Sequence, residues 1–256
     1  MKLHHTLAGN GPRVLFFNGS GATLESAAPI VDNLRKFATV LAHDQRGLGR
    51  TGIIDGPFTM AQYARDGADL LDHIGWDRCV VVGVSFGGMV AQEFAVTFPE
   101  RLEKLVLLCT SAGGEAGMSY PLHDNIELSP EQRVARMRTV YDTRFTDEFL
   151  ATDNFAAAMA KMLADREFVA KPDEVRRGEE LQLEARRYHD VASRLGNITC
   201  PTLVMAGRYD GIAPVTNSEA IVARIPGSEL RLYKGGHLFF AQDPRAMADV
   251  AAFVTA

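Results

Sequence analysis

The chain has few cysteines: Cys79, Cys109 and Cys200, far apart and with no CxxC pair. An odd, scattered set excludes a disulfide framework and reads as reduced, buried thiols. No metal site is expected. No apolar run reaches the length needed to span a membrane. The start, Met1-Lys2-Leu3-His4-His5-Thr6, carries no apolar stretch of the kind a secretory signal uses. The expected location is therefore the cytoplasm. Neither sign of charge dominates: 27 Lys and Arg against 32 Asp and Glu leave −5, which gives no electrostatic reason to expect nucleic acid. Internal repeats and low-complexity tracts are missing too. What remains is a chain of 256 residues, 46% of them hydrophobic. That is enough for a full core in one large domain or in a domain with an insertion.

Strand and helix signals alternate through the first part. Arg13 to Asn18, Thr39 to Ala42, Arg78 to Val84 and Leu105 to Cys109 read as apolar strands. Leu24 to Phe37, Thr59 to Ile74 and Phe86 to Phe98 read as helices. Thr59 is a plausible N-cap, and Gly75 and Pro99 are stops. From Ser111 to Leu195 no strand is evident. Glu131 to Arg138, Asn154 to Asp165 and Glu174 to His189 read instead as charged helices. Alternation returns after Pro201, with strands at Thr202 to Ala206 and Glu229 to Tyr233 and helices at Pro214 to Arg224 and Phe240 to Val254. Apolar strands alternating with amphipathic helices predict an α/β fold: a mostly parallel, doubly wound sheet flanked by helices. Residues 1–111 and 196–256 would form that core, and 112–195 a helical insertion.

The strongest local pattern is Val80-Val81-Val82-Gly83-Val84-Ser85-Phe86-Gly87-Gly88. A strand runs into Gly-X-Ser-X-Gly and a helix follows, the arrangement of a nucleophile elbow. A serine needs a base to take its proton, and the base needs a carboxylate to fix its tautomer. His237 follows Lys234-Gly235-Gly236 at a strand end, where open α/β sheets bind ligands. His4, His5, His73, His123 and His189 read as surface or cap residues. His43 also follows a strand but precedes the elbow. Asp210 lies just past another strand end and completes the order Ser, Asp, His; Asp124 is the alternative acid. The backbone N–H groups of Phe86 and Ser20 are the expected oxyanion donors. Gly19-X-Gly21 lacks the third glycine at Leu24 that a dinucleotide site would need.

These segments together resemble the α/β-hydrolase superfamily. The resemblance rests on Asn18-Gly19-Ser20-Gly21, Asp44-Gln45-Arg46-Gly47, Gly83-Val84-Ser85-Phe86-Gly87-Gly88, Gly207-Arg208-Tyr209-Asp210 and Gly235-Gly236-His237. The nearest branch holds enol-lactonases, carboxylesterases, cofactor-free haloperoxidase-like perhydrolases and carbon–carbon bond hydrolases. The resemblance implies that 112–195 is a cap over the active site. It also implies a cofactor-free serine hydrolase acting on a small-molecule ester or lactone. Carbon–carbon bond hydrolysis or perhydrolysis on the same triad, and a non-catalytic ligand receptor, are the alternatives. The serine at the elbow argues against the dehalogenases and epoxide hydrolases of this family, which use aspartate there. No nucleic-acid or membrane partner is expected, and a homodimer is left open.

Two departures stand out. The family's usual His-Gly is Asn18-Gly19 here. Leu3 to Ala8 matches the family's second strand, with the usual first strand absent or partial. Asn18, Gly19, Met89 and Leu238 are candidate substrate contacts. Phe86, Met89, Leu238 and Phe239 could line an acyl pocket or simply be core. Of the cap arginines, Arg133, Arg136, Arg138, Arg186 and Arg187, one could hold a substrate carboxylate. For any single arginine the plain reading is a surface residue beside an acid.

Overall fold

The computed structural model describes residues 2–53 and 58–256. Among them, strands β1 (His5–Gly9), β2 (Arg13–Phe17), β3 (Thr39–His43), β4 (Cys79–Val84), β5 (Leu102–Leu108), β6 (Thr202–Gly207) and β7 (Glu229–Tyr233) form a seven-stranded sheet. Their spatial order is β1-β3-β2-β4-β5-β6-β7. Only β1 runs antiparallel, against β3; every other pairing is parallel. The expected α/β doubly wound sheet is thus observed, and the strand predicted near Leu3 to Ala8 is its antiparallel edge.

Side chains alternate across the sheet with period two, and each face buries a separate core. Leu15, Phe17, Leu41, Val81, Leu105, Leu107 and Val204 pack with α2 (Met60–Ile74), α3 (Phe86–Thr97) and α8 (Val215–Val222). Val14, Phe16, Val40, Val80, Val82, Val106 and Met205 pack on the other face. Their partners there are α1 (Ala28–Arg35), α9 (Phe239–Gln242) and α10 (Pro244–Thr255). Helix α2 begins with a reciprocal capping box between Thr59 and Gln62 and ends at Gly75 in the left-handed region, with φ 75°.

Two helices differ from the periodicity. The helix expected from Leu24 starts only at Ala28. Pro29 sits in its first turn, and the Leu24 N–H is taken by Asp44 Oδ1 at 2.7 Å. The helix expected from Phe240 to Val254 is two helices. Asp243 leaves helical geometry and caps the second one, whose first residue is Pro244.

Between β5 and β6 the chain forms no strand. It runs through α4 (Pro130–Tyr141), α5 (Asp147–Thr152), α6 (Asn154–Glu167) and α7 (Asp173–Arg187), with short 3₁₀ turns. Helix α5 has six residues, too few for a periodic signal. This segment has a small core of its own, Phe145, Ala156, Met159 and Leu163. It is also seated on the sheet domain. Gly178 of α7 meets Gly47 so closely that a β-carbon there would fall on the Gly47 carbonyl oxygen.

That contact makes a prediction. A backbone oxygen cannot step aside as a flexible side chain can. Gly178→Ala should therefore lift α7 and cost about 1–3 kcal/mol, seen as a lower midpoint in thermal denaturation. An unchanged midpoint would show that α7 does not depend on this contact.

Candidate active site

The loops that leave the carboxyl ends of β2, β4, β6 and β7 meet at one place. At its centre β4 turns into α3 at Ser85, with φ 55° and ψ −116°. A non-glycine residue pays strain energy there, and the surroundings fix it. Its N–H donates to Leu108 O at 2.8 Å, and its carbonyl accepts from Thr110 Oγ1 at 2.8 Å. A β-carbon on Gly83 would strike the Gly87 carbonyl, and one on Gly87 would strike the Phe17 carbonyl. The glycines are there because strand, turn and helix pass within backbone contact.

His237 approaches from the loop after β7. Its Nε2 lies 2.9 Å from Ser85 Oγ and its Nδ1 2.8 Å from Asp210 Oδ2. With Nδ1–H donating to the carboxylate, Nε2 is left free to accept the Ser85 O–H. Asp210 Oδ1 accepts the N–H groups of Ile212 and Ala213 at 2.8 and 2.9 Å, and its side chain is fully buried. The three residues form one continuous hydrogen-bonded line. Asp124, the alternative acid, instead sits exposed beside His123.

Phe86 opens α3, at the helix end where the dipole favours negative charge. Its ring is core, edge-on to Tyr63 with centroids 5.1 Å apart. Gly19 borders the serine: a β-carbon built on it would lie 3.8 Å from Ser85 Cβ. Asn18 is turned the other way. It braces its own loop, accepting from Gly19 N–H and donating to Thr23 O, so its side chain is not aimed at a ligand. Gln45 donates to Asn18 O at 2.8 Å, and Arg46 forms a buried two-pronged pair with Asp66. The Asp44-Gln45-Arg46-Gly47 stretch therefore supports the Ser20 loop from below. Gln182 of α7 closes that loop from above, accepting the Gly21 N–H at 2.7 Å.

A profile of the alpha/beta hydrolase fold matches residues 12–244. The chain belongs to the α/β-hydrolase fold family. It is 31% identical over 243 residues to the poly(3-hydroxyalkanoate) depolymerase of Ectopseudomonas oleovorans, covering 93% of this chain and 82% of the relative. It is 26% identical over 236 residues to 3-oxoadipate enol-lactonase 2 of Acinetobacter baylyi, covering 92% and 85%. Among solved structures, the enol-lactonase from Burkholderia xenovorans superposes with TM-score 0.82 at 24% identity, over 99% of this chain and 96% of that one. That last likeness is one of fold.

This α/β-hydrolase holds its histidine loop with residues that no motif marks. The end of α4 lies across both the Asp210 and the His237 loops. Tyr141 O accepts the His237 N–H at 2.7 Å, and Val140 O accepts the Gly211 N–H at 3.0 Å. Asp142, fully buried and paired with Arg144, accepts from Gln242 Nε2 at 2.9 Å. Gln242 Oε1 in turn accepts the Gly236 N–H at 2.7 Å. Of the other named residues, Leu238 packs against the Phe145 cluster, and Phe239 is core, stacked on Tyr233. Met89 is buried and lines a small polar recess. A surface groove of about 610 Å³ runs past Gly211 and Pro214, with Met118, Tyr120 and Arg187 in its walls; the Ser85 line is not among its lining residues. No helix among the described residues is long and apolar enough to cross a membrane.

His189, expected at the surface, is buried, because α7 and the turn after it fold back onto Ser111 and Gly113. Burial pulls His189 and His43 down to about 4. Unfolded histidines titrate near 6.5. Between about pH 6.5 and 4 the unfolded chain therefore binds protons that the folded chain does not, and stability falls as the pH drops through that window. The loss is at most about 3 kcal/mol per histidine. Urea denaturation at pH 7 and pH 4.5 should show it, with a smaller acid loss in His43→Gln. Equal losses in the two proteins would overturn this reading of His43.

Proposed function

We propose that the protein is a serine hydrolase that cleaves a carboxylic ester or lactone through an acyl-enzyme on Ser85. The observation that carries this reading is the hydrogen-bonded line Ser85–His237–Asp210 at the head of α3. Ser85 Oγ attacks the substrate carbonyl while His237 Nε2 takes its proton. Asp210 holds the imidazole in the required tautomer and stabilises the imidazolium. The amides of Phe86 and Ser20 receive the oxyanion. His237 then gives its proton to the leaving alkoxide. In the second half His237 accepts a proton from water, the resulting hydroxide equivalent attacks the acyl carbon, and Ser85 departs with that proton. This sequence calls on no metal or organic cofactor. One relative is named as a lactonase, and a poly(3-hydroxyalkanoate), named for another, is a polyester. Both suit ester chemistry.

In this reading residues 112–195 act as the cap. Their contacts with Gly47, Gly21 and His237 tie the cap to both the oxyanion loop and the base. The buried free thiols Cys79 and Cys109 suit a reducing compartment, and we place the activity in the cytoplasm.

Wild type should hydrolyse short p-nitrophenyl esters with multiple turnovers, and Ser85→Ala should lose about 10⁴-fold or more in kcat. A fluorophosphonate should label the wild type and leave Ser85→Ala untouched. Equal activity in both proteins would remove Ser85 as the nucleophile.

Gln242 is a positioning residue for His237. In Gln242→Ala the glycine loop loses its clamp, and a displacement near 1 Å costs up to about 100-fold. The loss should fall on kcat with KM little changed. An unaltered kcat would show that α4 and the loop hold His237 without Gln242.

A further inference from the structure

Two arginines of the described chain are buried, Arg46 and Arg186. Arg46 has its acid, Asp66, at 2.7 Å. Several cap cations also find acids: Arg133 pairs with Glu167, Arg138 with Asp147 and Lys171 with Glu179. Arg186 is 5% exposed and, among the described residues, has no acidic partner. Its Nη2 donates to Ser119 Oγ and to Tyr120 O at 2.6 and 2.7 Å. Those neutral acceptors orient the guanidinium without neutralising it, and Nε has no acceptor. Burial alone draws Arg186 down to about 10, which leaves it charged at neutral pH. A desolvated cation without a counter-ion is costly, and a bound anion would offset that cost.

The surroundings are a built polar site. Arg186 shares a recess with Met89, Ser111, Ser119, His123, Arg187 and His189. Ser111 Oγ, both ring nitrogens of His189 and His123 Nδ1 are buried there without partners, as is the Arg186 Nε. Two acids that influence His189 are engaged elsewhere: Glu93 is paired with Arg194, and Asp190 caps the Ala192 N–H. Asp124, beside His123 at the rim, is exposed. The buried Arg186 charge, the Arg187 charge shared with the outer groove and neutral hydroxyl and imidazole donors suit a planar anion such as a carboxylate. The recess proper has room for about 10 Å³, on the order of one water. It shares Met118, Ser119, His123 and Arg187 with the large surface groove. An anionic head therefore belongs at the mouth, where the flexible Met118 can yield. Met89, which lines the recess, lies one turn beyond Ser85 in α3.

We propose that Arg186, with Ser111, Ser119 and His189, binds a carboxylate carried by the substrate away from its scissile carbonyl. The natural substrate is then an anionic ester or lactone, such as a half-ester of a dicarboxylic acid. This inference rests on the serine hydrolase reading for its chemistry and on Arg186 for its selectivity.

The test compares p-nitrophenyl hydrogen glutarate with p-nitrophenyl valerate, which has the same chain length and no carboxylate. Succinate and adipate half-esters, each beside its neutral isostere, extend the series. In the wild type at least one half-ester should be favoured tenfold or more in kcat/KM, mainly through KM. Arg186→Gln should lower that selectivity ratio at least tenfold. A wild type that favours no half-ester over its isostere overturns the proposal, even if the variant fails to fold. Turnover of no ester at all would overturn the hydrolase reading instead. The anion site is then read by glutarate dianion, which should raise the wild-type thermal midpoint where glutaramide does not. No such difference overturns the anion site as well.

Discussion

Everything at this site depends on one strained residue. Ser85 is held at a positive φ because three neighbouring segments fix it from different directions. Leu108 O fixes its N–H, Thr110 fixes its carbonyl, and β2 leaves no room beside Gly87 for any side chain. Strain of this kind persists only when the surrounding structure over-determines it. Here the central strands supply that support, since β4 lies between β2 and β5, both parallel to it. The same turn that strains the serine also starts α3, so Ser85 stands at the head of that helix.

The helical segment after β5 is part of the same machine. Its contacts with the sheet domain fall on the loops that matter. The end of α4 meets the His237 and Asp210 loops, while α7 meets Gly21 and Gly47. The segment has only a small core of its own; Ala116, Leu181 and Ala185 join the core of the sheet, and that packing and the loop contacts together set its position. Movement of α4 or α7 would therefore reach His237 and the Ser20 loop directly. The polarity of α7 follows the same logic. Its inner face carries Gly178, Leu181, Gln182, Ala185 and Arg186, which puts an amide on the Gly21 N–H and a cation one turn further along.

Much of the fold was legible because its determinants are local. The apolar strands, the capping of α2 and the Gly-X-Ser-X-Gly turn each declare themselves within a few residues. Helix ends were harder. Pro29 and Pro244 were visible in the sequence, but a proline is tolerated in a first turn. Whether the helix begins there or continues through depends on where Leu24 and Asp243 find hydrogen-bond partners. His189 and Arg186 were less legible still, since a charged helix reads as solvated until it is known what packs against it. Nothing in the pattern around Tyr141, Asp142 or Gln242 marked a clamp on the histidine loop, because the α4 end that anchors Gln242 through Asp142 lies 100 residues away.

The sequence by itself determined the α/β class and the elbow, and it pointed to Ser85, Asp210 and His237, which the fold brings into one hydrogen-bonded line, because strand periodicity and the glycine demands of a tight turn are written in neighbouring residues. The tertiary structure alone decided which histidines are buried, that Asn18 braces its loop, and that Arg186 lies unpaired beside Ser111 and His189. Burial and charge pairing are properties of distant segments brought together, and a one-dimensional pattern does not carry them.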